Sequence, residues 1–272
     1  MNNPILRYPV RHPLLRNYIR FFWELRMDSA QLNHKIIPQK NINIRFNLND
    51  TPHFVDYGNG LNRLEPVYFT GLQNQFINAH LKVNGNVHIL GICFEPDGIY
   101  PFLKIPVSEF RNQMLGTSEI GFKIAEKISD RLSETHDTES KLSVLERELL
   151  LLLDDSNLIP ERFRKVFYEL KKENNMSISC FCQQNNLNIR KLERMYGKYV
   201  GLSANSYQTL NRFHGSLNQL LATDFSKLSD LAYDHGYFDQ MHFIKEFKRF
   251  TGNTPRNFIN QGNSILQIGN RK

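Results

Sequence analysis

The chain is poor in cysteine and tryptophan and has no long apolar run. Its 272 residues include three cysteines and one tryptophan. Three cysteines are too few for a disulfide framework, which favours a reducing cytoplasm. No apolar stretch approaches the ~18 residues of a membrane span, and residues 1–15 lack the apolar core of a signal peptide. These absences exclude a secreted disulfide-rich protein and predict a cytoplasmic chain without membrane spans.

Motifs of common catalytic sites are also missing from the sequence. It contains no P-loop, no G-x-S-x-G turn and no H-E-x-x-H pair. His80 and His88 could meet in space and bind a metal, but isolated histidines are more often structural. Cys180 and Cys182 lie two apart on a predicted helix, so they point to different faces. We therefore predict a protein that is not an enzyme and holds neither a metal nor a cofactor.

Positive charge is concentrated in the C-terminal part of the chain. Residues 161–272 contain 17 Lys and Arg against 9 Asp and Glu, a net charge of +8. The other 160 residues contain 17 basic and 18 acidic side chains, a net charge of −1. This separation indicates a basic module for nucleic acid or an anionic membrane surface, joined to a near-neutral module.

Strand signals dominate the N-terminal part. The stretch NINIRFNL (41–48) alternates apolar and polar residues, and VHILGICF (87–94) is an apolar run of strand length. Clusters of turn-forming residues lie around them, at 49–53, 57–60, 83–86 and 95–98. Several short strands separated by turns predict a small barrel or sandwich.

The apolar period changes to that of helices within residues 118–155. The stretches 120–132 and 141–155 both have helical spacing. Leucines recur along the second one: Leu142, Leu145, Leu149 and Leu152. Such a face packs on its own domain more often than on a second copy of the chain. Composition and charge change at 154–161, so we place a domain boundary there.

The basic part contains a tandem repeat. LERMYGKYVGLSANSY (192–207) corresponds to FIKEFKRFTGNTPRNF (243–258) at an offset of 51 residues. Upstream, FCQQNNLN (181–188) matches LAYDHGYFD (231–239), which has one more residue in its turn. Two copies of one supersecondary unit therefore follow each other along the chain.

Each copy has the form helix, tight turn, helix. A small residue, Cys182 or Ala232, stands where the two helices cross closely, and four positions later comes Asn186 or Gly236, which tolerate positive φ. This pattern predicts two helix-turn-helix units. Residues 203–223 between them predict one helix ~30 Å long, close to the ~34 Å of one DNA turn. The connector could therefore place both second helices in successive major grooves.

The second helix of each copy has an aromatic side and a cationic side. On a helical wheel Phe243, Phe247 and Phe250 lie together, facing the interior. The outward residues correspond between the copies: Arg190 with Met241, Lys191 with His242, Arg194 with Lys245, and Lys198 with Arg249. The aromatic side chains hold the helix to its domain, so the cations face a polyanion.

These residues resemble the signature of a known family, the AraC/XylS family of bacterial transcription regulators. The resemblance rests on Ala232, Gly236, Phe243, Phe247, Lys248, Arg249, Phe250, Gly252, Thr254 and Pro255. The first copy departs from the signature, with Cys182 in place of alanine, Asn186 in place of glycine and Ala204 in place of proline. The N-terminal part is similar to the cupin-like sensor domains of one AraC subfamily, over 12–25, 36–48, 69–73 and 91–110.

We therefore predict an α+β protein of two domains. Residues 1–157 would form a β-rich, cupin-like barrel for sensing or dimerisation, with closing helices from about residue 118. Residues 158–272 would form an all-α DNA-binding domain. Its parts are a first helix-turn-helix at about 176–200, a linking helix at about 203–223 and a second helix-turn-helix at about 227–251.

The resemblance places base-reading side chains near the start of each outward face. These candidates are Arg190, Glu193 and Arg194 in the first unit, and Gln240, Met241 and Lys245 in the second. Arginine favours guanine, glutamine favours adenine, and methionine offers only apolar contact, for example to a thymine methyl. Glu193 either accepts from cytosine or orients an arginine, and Arg194 alternatively clamps a phosphate or forms an ion pair.

Other cations set the register on the phosphate backbone without reading sequence. The candidates for phosphate contact are Lys191, Lys198, His242, Lys248, Arg249 and Arg256. His242 alternatively packs at the start of its helix.

The function predicted from these features is sequence-specific binding of double-stranded DNA by a transcription regulator. The N-terminal domain would control it by binding a small-molecule effector or by forming a homodimer, and an activator would also contact RNA polymerase. The alternatives are a metal-dependent, cupin-type enzyme domain fused to a DNA-binding domain, and a non-specific nucleoid-type binder.

Overall fold

The computed structural model describes residues 5–153, 158–173, 176–222 and 227–260. Within them an antiparallel sheet in the N-terminal part is followed by a helical C-terminal part, which confirms the predicted α+β class. The first half of the predicted domain boundary, residues 154–157, lies outside the described residues. None of the described helices is both long and apolar enough to cross a membrane.

Eight strands are present among the described residues. They are β1 (Ile5–Tyr8), β2 (Ile19–Lys35), β3 (Asn43–Asn47), β4 (His53–Asp56), β5 (Leu61–Arg63), β6 (Val67–Thr70), β7 (His80–Phe94) and β8 (Met114–Gly116). Their order in the sheet is β1-β2-β7-β3-β6-β8, with β4 paired to β7 and β5 to β4. All of these pairs are antiparallel, so the sheet is built from hairpins and longer connections rather than from βαβ crossovers.

Ten α-helices are described. They are α1 (Tyr100–Leu103), α2 (Ile124–Ser133), α3 (Thr138–Leu152), α4 (Glu161–Lys172), α5 (Ile178–Gln184), α6 (Ile189–Tyr199), α7 (Ala204–Leu221), α8 (Leu228–Asp234), α9 (Gln240–Thr251) and α10 (Pro255–Asn260). Two short 3-10 helices, Leu15–Asn17 and Val107–Phe110, lie in the N-terminal part. In α3 the residues Leu142, Leu145 and Leu149 are buried in the core of the chain itself, as the leucine spacing predicts.

The prediction of a turn at residues 83–86 is wrong. These residues lie inside β7, in its long ladder with β2, and Gly85 pairs with Ala30 of β2. Gly85 has a φ of 135° and Ser29, in the irregular part of β2, has a φ of 49°. The two strands therefore bend together at this point, so residues typical of a turn are accommodated without ending the strand.

The two faces of the sheet are buried in different cores. In β3, Ile44 and Phe46 point towards the large core that also includes residues of the helices. Asn43 and Arg45 alternate with them and are buried on the opposite face. On that face Trp23 belongs to a second, separate apolar cluster. Polar side chains of β3 are thus enclosed within the N-terminal domain instead of facing solvent.

The large core continues from the sheet into the helical part of the chain. The ring of Tyr100 lies edge-on to Tyr199 at the end of α6, with 4.9 Å between centroids. Gly201 follows α6 with a φ of 85°, and a Cβ added there would lie 2.7 Å from the carbonyl oxygen of Val107. Arg164 of α4 reaches the buried Asp97 at 3.4 Å. Apolar, backbone and ionic contacts therefore all join the two parts.

Candidate nucleic-acid interface

The second helix-turn-helix unit consists of α8, a tight turn and α9. Ala232 is fully buried where the helices cross, and Gly236 has a φ of 72° in the turn. The turn is closed by the Tyr237 N–H, which donates to the Ala232 carbonyl at 3.0 Å. Asp239 caps α9 by accepting from the His242 N–H at 2.6 Å. The close packing at Ala232 and the positive φ at Gly236 were predicted from those residue types.

The first unit, α5 and α6, has the same geometry despite its different residues. Cys182 is buried at the crossing, and Asn186 adopts a φ of 50°. The Leu187 N–H donates to the Cys182 carbonyl at 2.8 Å, which matches the closing hydrogen bond of the second unit. Asn188 caps α6 by accepting from the Lys191 N–H at 3.0 Å. The departures from the family signature at Cys182 and Asn186 therefore preserve the turn.

The third departure, Ala204, explains the position of Glu193. Proline at the first position of a helix has no N–H, as at Pro255 in the second unit. Ala204 has one, and Glu193 accepts it at 3.1 Å. Residue Ile244 occupies the position of Glu193 in the second unit. Glu193 thus caps α7 in this structure, a role that the sequence reading did not consider beside base contact and ion pairing.

Aromatic side chains hold both recognition helices, α6 and α9, to the domain. Tyr196 of α6 is fully buried and packs edge-on to Phe163 of α4, with 5.5 Å between centroids. Phe247 and Phe250 of α9 pack on Phe213 of α7 at 5.5 and 4.6 Å. The predicted aromatic side of each helix is therefore the buried side, which leaves the opposite side outward.

A buried ion pair that the sequence did not indicate fixes α9 to α7. The Arg212 Nη2 atom lies 2.7 Å from a carboxylate oxygen of Glu246, and its Nε lies 3.3 Å from the other. The guanidinium also lies over the ring of Tyr237 at 4.8 Å. Because a two-point contact of this kind fixes direction as well as distance, it sets how α9 projects from the connector.

Most of the predicted contact residues are solvent-exposed on the outward side. The exposed ones are Arg190, Lys191, Arg194, Lys198, Gln240, Met241, His242, Lys245, Lys248, Arg249 and Arg256, whereas Glu193 is half-buried. His242 packs its ring edge-on to Tyr237 at 5.4 Å, which matches the alternative of packing at the helix start. For all of the predicted contact residues, contact with bases or phosphates stays a prediction.

Two of these cations contact the N-terminal domain. The Lys198 ammonium lies 5.1 Å from the ring centre of Tyr100. Arg249, at the equivalent position of the second unit, donates from Nη2 to the Asn74 carbonyl at 3.0 Å. The last turns of both recognition helices therefore lie against the N-terminal domain at matching positions. Sequence alone could not show this, because the contacts join residues that are far apart along the chain.

Three exposed apolar side chains lie on the second unit, and Phe238 and Tyr233 among them were not predicted from the sequence. Phe238, Tyr233 and Met241 are 84%, 65% and 59% exposed. Phe238 immediately precedes the cap of α9 and is in the turn that has one residue more than its counterpart. The extra residue in this turn was the sequence feature from which an exposed Phe238 could have been predicted. Phe238 and Met241 flank the start of α9 at Gln240, where base readers were predicted.

His80 and His88 do not form a metal site together. Both lie on β7, and eight residues of a strand span ~26 Å. His80 is hydrogen-bonded to Asn33 at 3.1 Å, and His88 contacts the buried carboxylate of Glu24 at 2.9 Å. His80 at the start of β7 and His88 in its middle are therefore structural residues.

Two protein-family models match the chain. One, described as a domain of unknown function (DUF6597), matches residues 11–116, and the other, described as a helix-turn-helix domain, matches residues 181–261. No curated protein matches the chain.

Solved structures of ToxT from Vibrio cholerae overlap the chain loosely. A structure at 1.65 Å resolution is 12% identical, covers 91% of this chain and 98% of that chain, and has a TM-score of 0.45. ToxT from strain O395 is 10% identical, with coverages of 97% and 100% and a TM-score of 0.45. ToxT with bound unsaturated fatty acid is 12% identical, with coverages of 95% and 95% and a TM-score of 0.42. TM-scores this low extend no property of ToxT to this chain.

The family matches and the geometry of the two units agree on the nature of the C-terminal part. The match to a helix-turn-helix domain over 181–261 agrees with the two units described above, and the match to the domain of unknown function DUF6597 lies before it, over 11–116.

Proposed function

We propose that the chain is a transcription regulator that places α6 and α9 in two successive major grooves of duplex DNA. The observation that carries the proposal is the repetition of one outward, cation-bearing helix at equivalent positions on either side of α7. The 18 residues of α7 make it ~27 Å long, which is close to one turn of DNA. We assign residues 1–157 to the controlling domain and residues 158–272 to the DNA-binding domain.

The two units differ in the chemistry that they present to base edges. The first offers the exposed guanidinium groups of Arg190 and Arg194, which suit guanine. The second offers Gln240 together with the apolar side chains of Met241 and Phe238, which suit adenine and the thymine methyl group. We therefore propose an operator with a G-containing half-site for α6 and an A·T-rich half-site for α9.

Control is proposed to act through the contacts at the ends of the recognition helices. Lys198 and Arg249 are both held by the N-terminal domain, so a change in that domain alters both units together. An effector or a homodimer contact could bind one arrangement of the two domains more tightly than another and so shift the protein towards that arrangement. DNA affinity would change to the extent that the ligand or the homodimer contact distinguishes the two arrangements. We propose that the protein acts in the cytoplasm and that, if it activates transcription, it also contacts RNA polymerase.

The proposal is tested by selecting bound sequences from randomised duplex DNA at two salt concentrations. We expect two short motifs about ten base pairs apart and binding that weakens steeply with salt. Replacing thymine by deoxyuridine in the A·T-rich motif removes only the methyl group and should weaken binding by wild type but not by Met241→Ala combined with Phe238→Ser. Strong binding without any enriched motif would instead identify a non-specific binder.

A further inference from the structure

The N-terminal domain encloses the cation of Arg45 beside two aromatic side chains, Trp23 and Tyr68. Arg45 is on β3, opposite Gly91 of β7 and Tyr68 of β6. Its guanidinium lies 5.8 Å from the ring centre of Trp23 and 5.6 Å from that of Tyr68. Gly91 is required for this arrangement, because a Cβ there would lie 2.0 Å from the Trp23 indole. The absence of a side chain at Gly91 lets the indole lie beside the charge.

The positive charge of Arg45 is not neutralised within the described part of the protein. The side chain is 7% exposed and belongs to none of the ion pairs found among the described residues. Its Nη1 donates to the hydroxyl of Thr70, while its Nε has no acceptor among those residues. A guanidinium has five N–H donors, and burying an unpaired charge is costly. Burial lowers the pKa of Arg45 from its ordinary value.

A small cavity lies next to this group. Its volume is about 40 Å³, and its lining residues are His34, Lys35, Ile36, Ile37, Gln39, Arg45, Thr70, Leu81 and Met114. A single water needs on the order of 10–15 Å³ by the same measure, so the space suits a group of a few heavy atoms. The polar part of its wall comes from Arg45, Thr70, His34, Lys35 and Gln39, and leucine, isoleucine and methionine side chains form the apolar part.

We propose that this cavity is a binding site for a small monocarboxylate, whose carboxylate accepts hydrogen bonds from Arg45 and Thr70 while its short apolar part faces Leu81 and Met114. Guanidinium and carboxylate are planar and match each other in a two-point contact. This site rests on the proposed control of the protein by an effector, and it identifies the chemical class of that effector as a small monocarboxylate.

The surroundings favour an anion with a single charge. Burial, and secondly the nearby guanidinium of Arg45, lower the pKa of His53 to about 4. His53 is therefore neutral at pH 7 and adds no second buried positive charge. The other positively charged lining residue, Lys35, places its ammonium 4.5 Å from the ring centre of Phe76. A doubly charged phosphate would be larger and would lack a second buried cation.

The same cavity is connected to the second recognition helix by direct contacts. Phe76, on which the Lys35 ammonium lies, donates from its backbone N–H to the Arg249 carbonyl at 3.0 Å. A Cβ added at Gly252, which ends α9, would lie 2.8 Å from the Phe76 ring. Lys35 lines the cavity and also lies over this ring, so it links the cavity wall to Phe76. Occupation of the cavity is thus coupled to the end of α9 that the N-terminal domain holds.

Binding is tested on the full chain without DNA, by calorimetric titration and thermal unfolding with propionate, propionamide, chloride and inorganic phosphate. We expect propionate to bind and raise the Tm, and propionamide, chloride and phosphate to bind at least tenfold more weakly. Arg45→Met should abolish propionate binding while its own Tm stays at or above that of wild type, because replacing an unpaired buried charge by an apolar side chain is tolerated. Thr70→Val is a second variant, expected to weaken binding.

Equal affinity for propionate and propionamide, or unchanged propionate binding by a folded Arg45→Met variant, would overturn the site. Tighter binding of phosphate or chloride would overturn the ligand class. In a second measurement propionate should change the affinity for the selected operator several-fold in wild type but not in Phe76→Ala. A failure of these tests leaves operator binding without ligand intact, so it is distinguishable from failure of the proposed function.

Discussion

Alanine replacement of Lys248 and of Lys198, one at a time, tests whether all predicted phosphate contacts are available to DNA. Both residues belong to the outward face of a recognition helix, and both were predicted to contact phosphates. Lys248 is exposed on α9, whereas the Lys198 ammonium lies against the ring of Tyr100. The two variants remove the same charge from different surroundings, so each is the matched control for the other.

The expected magnitude follows from counterion release, in which each phosphate contact contributes about −0.9 to the slope of log K against log salt. Five Lys and Arg side chains were predicted as phosphate contacts: Lys191, Lys198, Lys248, Arg249 and Arg256. All five would give a slope of about −4.5, and a ~500-fold loss of affinity between roughly 50 and 200 mM salt. With Lys198 and Arg249 held by the N-terminal domain, the slope from the remaining three is about −2.7 and the loss ~40-fold.

The measurement is fluorescence anisotropy of the selected operator, titrated with full-length protein at five salt concentrations without effector. We expect Lys248→Ala to reduce the slope by about one and Lys198→Ala to leave it unchanged. A slope that falls equally in both variants would refute the reasoning. It would mean that DNA binding itself detaches Lys198 from Tyr100.

Three further predictions concern buried and capping carboxylates. Glu246→Ala leaves the largely buried Arg212 without its partner and should lower the free energy of unfolding in urea by about 3 kcal/mol, whereas Ala at the exposed Glu126 should change it by less than about 0.5 kcal/mol. Glu193→Ala should cost about 1 kcal/mol through loss of the α7 cap and leave the selected operator unchanged; an altered base preference at one position would instead make Glu193 a base reader. Burial alone would raise the pKa of Glu24, but hydrogen bonds from the His88 and Arg26 side chains lower it to about 2. A pKa below its unfolded value means that this stabilisation is present above pH ~4.5 and is lost as the pH falls towards ~2, so Glu24→Gln should show a shallower loss of urea stability over that window than wild type.

The helix-turn-helix units could be predicted because their geometry depends on local residue types. A small residue at the crossing, a residue tolerant of positive φ and a capping side chain each act within a few positions of the chain. Asn186 and Gly236 reach a φ of 50° and 72° although they are different residues, so the register of the repeat was more informative than residue identity. The alternation in β3 likewise predicted a strand with two unlike faces.

Features that depend on tertiary contacts could not be predicted in this way. The position of Gly85 within β7 depends on a matching irregularity in β2, more than fifty residues away. Lys198 and Arg249 had the pattern of phosphate contacts, and only the packing of the N-terminal domain shows what they touch. The enclosed face of β3, with Arg45, is also a property of the folded sheet, because alternation alone does not tell a solvated face from a buried one.

The contact between Gly201 and Val107 limits how freely the two halves of this protein can be exchanged with those of other proteins of the same two-part architecture. The carbonyl of Val107, in the N-terminal half, occupies the space that a side chain at residue 201 of the helical half would need. Both halves are therefore required to form this contact. A hybrid that keeps the helical half but receives a foreign N-terminal half would retain the bare glycine and the uncovered ring of Tyr199. Successful chimeras should therefore carry residues 100–110 along with the helical half, because the contact is preserved only when both of its sides are transferred together.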